Sequence, residues 1–211
     1  MNLLQRLDDR LLLDVNTFAR DTPWLHTPFL DYAKYGLVVF GLLLAAGLVV
    51  SRHRDSRLLA AAGWAGVATM LAVALNQPAG HLFGESRPYV AHPAMLRLAD
   101  VTSDFSFPSD HATMAGAVAA GLLLVDRRLG LLALAAGLLM GFARVYVGAH
   151  YPWDILAGFT LGASVVLLGW LVLQRPLVAL TGWLRRQPGL RAVFAERASD
   201  DLALGVGAVG A

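Results

Sequence analysis

The chain has 211 residues, of which 57% are hydrophobic and only 15% charged, and its mean hydropathy is +0.58. An ordinary globular protein carries about 25% charged residues, so this composition excludes a soluble domain, and it is equally unlike a disordered chain. A net charge of +2 gives no basic field for nucleic acid. Because cysteine is absent, disulfides, thiolate metal ligands and cysteine nucleophiles are excluded.

Residues 1–28 predict an amphipathic helix that lies in the membrane interface. Leucine and valine side chains recur at helical spacing from Leu3 to Val15, with charged residues between them. These charges interrupt the apolar run, which argues against a signal peptide. We expect the helix to break at Pro23, before the first membrane span.

Five apolar stretches then reach, or nearly reach, the length of about 20 residues that crosses a membrane. No alternation of polar and apolar residues competes with them, and we therefore expect an all-α, polytopic helix bundle. The predicted spans are residues 29–50, 58–75, 111–125, 129–147 and 155–174. The chain's single lysine, Lys34, lies near the start of the first span. Residues 29–174 would form the membrane domain and residues 175–211 a basic tail, with a further surface helix over 177–194.

Arginines predict the orientation of these spans. They collect after the first, third and fifth spans, which places them on one side of the membrane, and the positive-inside rule makes that side cytoplasmic. They are Arg52, Arg54, Arg57, Arg127, Arg128, Arg175, Arg185, Arg186, Arg191 and Arg197. The outer face then receives the loop 76–110 and the connection 144–154.

Polar residues with a shared chemical logic lie in these outer segments, where ionisable groups need a partner or a function. His150 and Asp154 are four residues apart, and they share a helix face if the last span begins near His150. The carboxylate would then hold one imidazole nitrogen and leave the other as a nucleophile or base. The guanidiniums of Arg87 and Arg144 could clamp a tetrahedral anion.

The start of the third span adds two further groups. Ser109 would cap this helix, whose first N–H groups favour an anion, and His111 could protonate a leaving oxygen. Together these groups suit phosphoryl transfer, in which positioning and charge stabilisation do most of the work. Taken singly, each also has a structural reading: Arg87 could reach to lipid headgroups, and Arg144 and Asp154 could form an ion pair between spans.

Three segments resemble the signature motifs of the type-2 phosphatidic acid phosphatase superfamily. The family's motifs are Lys-x6-Arg-Pro, Pro-Ser-Gly-His and Ser-Arg-x5-His-x3-Asp. The matching residues are Arg87-Pro88, then Pro108-Ser109-Asp110-His111, then Ala143-Arg144 with His150 and Asp154. The chain departs from these motifs at Gly80, where the family has lysine, at Ala143 and at Asp110. His81 lies beside Gly80 and could replace the lysine. The Pro-Ser-Asp-His form resembles bacterial undecaprenyl pyrophosphate phosphatases.

The resemblance implies a mechanism and an activity. His150 would attack phosphorus to form a phosphohistidine, Asp154 would orient it, and His111 would protonate the leaving group. Four side chains would hold the transferred phosphoryl group: Arg87, Arg144, Ser109 and His81. No metal or cofactor is implied. The expected reaction is hydrolysis of undecaprenyl, or another polyprenyl, pyrophosphate at the outer face of a bacterial cytoplasmic membrane. The expected partners are the bilayer and the lipid substrate, without nucleic acid, and the oligomeric state stays open.

Other readings of the sequence stay open. The same site could act on phosphatidic acid, phosphatidylglycerol phosphate or a phosphorylated polyprenyl sugar, because the motifs address only the phosphate. Without the motif lysine, a non-catalytic lipid-binding or transport protein is also conceivable. A metallohydrolase would need histidine ligands, namely His81, His92, His111 and His150. We expect three acids of the outer loop to be solvated or to pair with Arg97: Glu85, Asp100 and Asp104.

Overall fold

The computed structural model describes residues 3–189, and within this range it contains helices and no strands. The all-α prediction is therefore confirmed. The helices are α1 (Leu3–Asp21), α2 (His26–Tyr35), α3 (Leu37–Ser51), α4 (Ser56–Phe83), α5 (Pro88–Ala91), α6 (Asp110–Leu123), α7 (Arg127–Tyr146) and α8 (Pro152–Arg186), with a short 3-10 helix (Pro23–Leu25) before α2.

Three of these helices, α4, α7 and α8, are long and apolar enough to cross a membrane. Helices α2 and α3 add a fourth candidate if the pair, bent by 52°, is one span. The predicted third span corresponds to α6, whose 14 residues rise only about 21 Å, less than the hydrocarbon thickness of about 30 Å. The chain is a multi-pass membrane protein, and the count of five spans stays a prediction.

The bend between α2 and α3 lies at Gly36, where the chain passes close to α7. A Cβ at this position would lie 2.6 Å from the Met140 Cε atom of α7. One helical turn earlier, the Tyr32 hydroxyl donates a hydrogen bond of 2.8 Å to the carbonyl oxygen of Ala136, also on α7. The last turn of α2, which carries Lys34, is thus held against α7.

Helix α6 lies at the centre of the bundle and packs most tightly against α8. Two glycines one turn apart on α8 allow this approach: a Cβ at Gly158 would lie 2.6 Å from the carbonyl oxygen of Ser109, and one at Gly162 would overlap that of Thr113. Small residues at this spacing are typical of closely packed membrane helices. In addition, the Ser109 N–H donates to the backbone oxygen of Asp154 at 3.1 Å, which joins the beginnings of the two helices.

The separate surface helix predicted for 177–194 is wrong over the described residues, because α8 continues through Pro176 to Arg186. Proline removes one helical hydrogen bond, but tertiary contacts keep the helix intact. Leu177 and Val178 pack against the buried cluster of α4, α6 and α8, and Arg185 donates to the carbonyl oxygen of Arg54 at 2.6 Å. The predicted boundary at 174/175 falls inside this helix, and residues 190–211 lie outside the described residues.

Helix α1 is attached to the end of the bundle that carries the predicted site. The Asp8 carboxylate accepts a hydrogen bond of 3.0 Å from the Trp153 N–H, in the first turn of α8. Burial raises the pKa of Asp8 to about 6. Asn16 pairs with both backbone groups of Leu96, at 2.7 and 3.0 Å. Outward-facing leucines such as Leu7 suit a lipid contact, and the interfacial position of residues 1–28 stays a prediction.

Candidate active site

A cavity of about 260 Å³ opens where α2, the start of α6, the end of α7 and the loop 97–105 meet. Four of the predicted site residues line it: Arg87, His111, Arg144 and His150. Its volume lies just below the 300–1,000 Å³ that is common for small-molecule sites. Asp154 and Ser109 are both fully buried behind this lining.

His150 has its two ring nitrogens in different environments. Nδ1 lies 2.9 Å from the carbonyl oxygen of Ser106 and 3.3 Å from Oδ2 of Asp154. Because a carbonyl oxygen can only accept a hydrogen bond, Nδ1 carries the proton. Nε2 therefore holds the lone pair, and it lies 3.2 Å from Nη1 of Arg87 and 3.2 Å from Nη2 of Arg144, both donors.

The same surroundings keep the imidazole neutral. His150 is only 2% exposed. Burial, together with the positive charges of Arg144 and Arg87, lowers its pKa well below the ordinary value of 6.5. A neutral imidazole with a fixed lone pair is the form that acts as a nucleophile.

The Asp154 carboxylate is held by three donors. Its Oδ2 atom accepts hydrogen bonds from the Ser106 hydroxyl at 2.5 Å and from the Tyr151 N–H at 2.8 Å, besides the contact with His150. The expected shared helix face is wrong, because α8 begins at Pro152 and His150 precedes it. Proline favours the first position of a helix, and α8 accordingly begins at Pro152. Asp154 therefore lies in the first helical turn, and its carboxylate reaches back to the imidazole of His150.

Arg87 is fixed by a partner that the sequence analysis did not identify. Its Nε and Nη2 atoms donate to the two carboxylate oxygens of Asp104 at 3.2 and 3.0 Å, and Nη1 donates to the Ala149 carbonyl oxygen at 2.9 Å. The Asp104 side chain is 56% exposed, as expected of a solvated acid, but its ion-pair partner is Arg87 and not Arg97. Arg97 instead lies 5.5 Å from the centre of the Tyr89 ring. Such a bidentate pair fixes the plane of the guanidinium.

Arg144 approaches the cavity from the last turn of α7. One of its donors, the buried Nε, has no hydrogen-bond acceptor among the described residues. A buried donor without an acceptor is costly, and an anion in the cavity could satisfy it. The guanidinium thus contacts the nucleophilic nitrogen of His150 through Nη2 and has a further donor, Nε, for an anion in the cavity.

The beginning of α6 contributes Ser109 and His111. The Ser109 hydroxyl caps the helix and accepts a hydrogen bond of 3.5 Å from the Ala112 N–H. His111, in the first turn, lines the cavity. Asp110, at the position where the family motif has glycine, ties α6 to α4 by accepting hydrogen bonds from Asn76 at 2.6 Å and Gln77 at 3.0 Å.

His81 is not brought together with the other predicted residues. It lines a smaller neighbouring cavity of about 90 Å³, and its ring lies edge-on to Phe105 at 5.4 Å. Lys34 instead lines the cavity of about 260 Å³ that His150 lines. The sequence offers a weak signal for it, since it is the single lysine in a chain with sixteen arginines.

The charges around the cavity suit an anion. Lys34, Arg87 and Arg144 bring permanent positive charge, and the first N–H groups of α6 add a partial positive charge. Three carboxylates also line the cavity, but each is already held: Asp100 by Lys34, Asp104 by Arg87, and Asp110 by Asn76 and Gln77. Over residues 3–189, no three histidine, aspartate or glutamate side chains converge as a metal site would require. A nucleophilic nitrogen between two guanidiniums, with a second histidine nearby, can accept and release a phosphoryl group.

Comparison with known proteins supports the same chemistry. The PAP2 superfamily profile matches residues 61–177. The chain is 33% identical over 152 residues to the undecaprenyl-diphosphatase BcrC of Bacillus subtilis, covering 70% of this chain and 75% of that protein. It is 38% identical over 159 residues to the decaprenylphosphoryl-5-phosphoribose phosphatase of Mycobacterium tuberculosis, covering 74% and 84%.

Among solved structures, the fold resembles a PAP2-type phosphatidylglycerolphosphate phosphatase from Bacillus subtilis. The TM-score is 0.60 at 21% sequence identity, and the match covers 88% of this chain and 90% of that one. At this level of identity the likeness concerns the fold.

Proposed function

This chain belongs to the PAP2 superfamily and is a membrane lipid phosphatase, and on that premise we propose that it hydrolyses undecaprenyl diphosphate, or a similar polyprenyl diphosphate, to the monophosphate and inorganic phosphate. The observation that carries the proposal is the lone pair of His150 Nε2, held 3.2 Å from both Arg87 and Arg144 at the cavity wall. The diphosphatase activity in the name of the Bacillus relative supports the choice of substrate.

In the first step, Nε2 of His150 attacks the terminal phosphorus. His111 takes up a proton as the negatively charged diphosphate enters the cavity. The N–P bond forms as the bond to the bridging oxygen breaks, and His111 donates this proton to that oxygen as the prenyl monophosphate leaves. Arg144 turns from Nε2 to the non-bridging oxygens of the transferred group, and Arg87, whose plane Asp104 fixes, donates to them from Nη1 without turning. Asp154 balances the positive charge that develops on the imidazole ring.

In the second step, water attacks the phosphohistidine. His111, which gave up its proton in the first step, now accepts one from the water. The N–P bond breaks, inorganic phosphate is released, and His150 returns to its neutral form. The Ser106 carbonyl oxygen keeps the proton of His150 on Nδ1 throughout, so that Nε2 alone is phosphorylated. No metal takes part in either step.

The arginine distribution supports a site that faces the outside of a bacterial cytoplasmic membrane. Arg52 and Arg54, in the turn after α3, and Arg127, the first residue of α7, lie at the end of the bundle opposite the cavity. The positive-inside rule assigns this end to the cytoplasm. The prenyl tail stays in the bilayer while its diphosphate enters the cavity. In this setting the reaction would return the lipid carrier to cell-wall synthesis.

A second substrate class has its own support. The mycobacterial relative, 38% identical, is named for a phosphatase that acts on a decaprenyl-linked phosphoribose. The same nucleophile and the same two arginines would act on a phosphate monoester carried by a polyprenyl-linked sugar. In that case the leaving group is an alcohol, and its protonation by His111 would matter more than for a phosphate leaving group.

The test is phosphate release by the purified protein in detergent with EDTA present. Undecaprenyl diphosphate, a polyprenyl-phosphoryl sugar phosphate and phosphatidic acid serve as parallel substrates. We expect the highest kcat/KM on the diphosphate and loss of activity in His150→Ala, while His53→Ala, in the turn between α3 and α4, stays active. A preference for the sugar phosphate or for phosphatidic acid would replace the proposed substrate. Loss of activity with EDTA would contradict a metal-free reaction.

A further inference from the structure

The cavity extends beyond His150 to a side chain that belongs to none of the three motifs. Lys34, in the last turn of α2, lines the same cavity as Arg87 and Arg144. The motif position that carries lysine in the family is Gly80 here, on α4. The chain's single lysine thus reaches the cavity from a different helix.

Lys34 is held in place relative to Arg144 by the packing of two helices. The close approach at Gly36 and the Tyr32–Ala136 hydrogen bond fix the end of α2 against α7, the helix that carries Arg144. The two cations therefore border one cavity from two helices in contact. Only the lysine stem, with its four rotatable carbons, needs to adjust for Nζ to follow a ligand.

The present partner of Lys34 is easily replaced. Its Nζ atom lies 3.3 Å from Oδ2 of Asp100, and the two side chains are 52% and 81% exposed. An ion pair this exposed is weak, because water screens both charges. A phosphate with two negative charges in the cavity would compete successfully with one solvated carboxylate for the ammonium group.

We propose that Lys34 binds the phosphate that is not attacked, and that it thereby makes the site selective for diphosphates over simple monophosphates. The inference rests on the proposed function: when His150 attacks the terminal phosphorus, Arg87 and Arg144 are engaged by the transferred group. Among the described residues that line the cavity, Lys34 is then the remaining permanent cation for the charge on the leaving phosphate.

Binding of two small anions tests this directly and needs no turnover. The probes are methylenediphosphonate, a diphosphate mimic that cannot be hydrolysed, and orthophosphate, each titrated calorimetrically into the detergent-solubilised protein. Lys34→Gln should weaken diphosphonate binding about tenfold, the size expected for one charge-assisted hydrogen bond, and orthophosphate binding less than about threefold. Arg97→Gln removes an exposed charge of the loop 97–105 that does not line the cavity, and it should change neither.

A second variant separates binding from a structural role. Asp100→Asn removes the competing carboxylate, so diphosphonate should bind about two- to threefold more tightly. If the ion pair only stabilised the fold, both substitutions would act in the same direction. The inference would be overturned if Lys34→Gln weakened binding of both anions equally or changed neither. It would also be overturned by weaker diphosphonate binding in Asp100→Asn, or if the unmodified protein did not bind diphosphonate.

The two proposals fail in different ways. An unmodified protein that binds diphosphonate through Lys34 but releases no phosphate from undecaprenyl diphosphate would refute the proposed lipid and leave the diphosphate subsite standing. Turnover of the lipid diphosphate that is undiminished in Lys34→Gln would refute the role of Lys34 and leave the proposed function standing.

Discussion

Replacing Ser106 with alanine isolates the part of the site that orients the nucleophile. The Ser106 hydroxyl donates to Oδ2 of Asp154 at 2.5 Å, and Ser106 is fully buried. The backbone carbonyl that accepts the His150 Nδ1 proton remains in Ser106→Ala. The substitution therefore removes one hydrogen bond to the carboxylate and leaves the imidazole tautomer in place.

The expected loss follows from the chemistry of that single bond. A hydrogen bond to a charged group contributes about 1.5–3 kcal/mol. Asp154 keeps its donor at the Tyr151 N–H, 2.8 Å away, so the lower part of this range applies, about 1.5–2 kcal/mol. At about 1.36 kcal/mol for each factor of ten in rate, kcat falls about ten- to thirtyfold.

Steady-state kinetics on the proteins in detergent measures this effect, with Ser103→Ala as the matched control. Ser103 is exposed and lies in the same loop. We expect kcat to fall in Ser106→Ala with little change in KM, because the hydroxyl does not line the cavity. A kcat within twofold of the unmodified enzyme would refute the reasoning. So would an equal loss in Ser103→Ala, since it would point to a general disturbance of the loop.

Three further outcomes follow from the structure. Asp104→Asn should lower kcat/KM about two- to fivefold, because the partly exposed carboxylate that orients Arg87 contributes about 0.5–1 kcal/mol; an unchanged kcat/KM would refute this role. Gly162→Ala should destabilise the α6–α8 contact by about 1–3 kcal/mol and lower Tm in a thermal melt. The control Gly63→Ala, with no atom within 4 Å of the new Cβ, should not lower Tm. Equal Tm values for the two variants would contradict the packing. Nitrogen-15 NMR of labelled imidazoles should show His150 neutral with its proton on Nδ1 at pH 6, since its pKa lies well below 6.5; a protonated ring at that pH would refute the assignment.

Spacing predicted part of the site because some of its contacts are local in sequence, whereas Arg87, which contacts His150 across 63 residues, was predicted from the family motif. His150 and Asp154 are four residues apart, and Ser109 and His111 begin one helix, so spacing alone could place each pair. The sequence did not locate the start of α8, and the imidazole proved to lie before the helix rather than on it. His150 and Asp154 still contact each other because the Asp154 carboxylate reaches back from the first turn of α8.

Partners distant in sequence could not be predicted in this way. The Ser106 carbonyl meets His150 across 44 residues, and Asp100 meets Lys34 across 66. Such contacts depend on how the helices pack. A position beside the motif did not place His81 in the site either, because Gly80 and His81 both line the smaller cavity and not the one that His150 lines.

Packing also overrode a local rule at Pro176. Proline inside a helix costs a backbone hydrogen bond and commonly ends the helix. Here the apolar contacts of Leu177 and Val178, and the hydrogen bonds of Arg185 to the turn after α3, keep α8 continuous. The partners in these contacts lie far away in the sequence, so the residues around Pro176 alone do not predict that the helix continues.

The measurement that tests the mechanism most directly is detection of the covalent intermediate. The protein is mixed with undecaprenyl diphosphate, quenched within milliseconds in alkali, which preserves phosphohistidine, and mapped by mass spectrometry. We predict one phosphoryl group on His150, absent from His150→Ala and reduced in Ser106→Ala in proportion to its slower first step. Rapid release of phosphate with no phosphorylated His150 at any quench time, or a phosphoryl group on another residue, would contradict the assignment of His150 as the nucleophile.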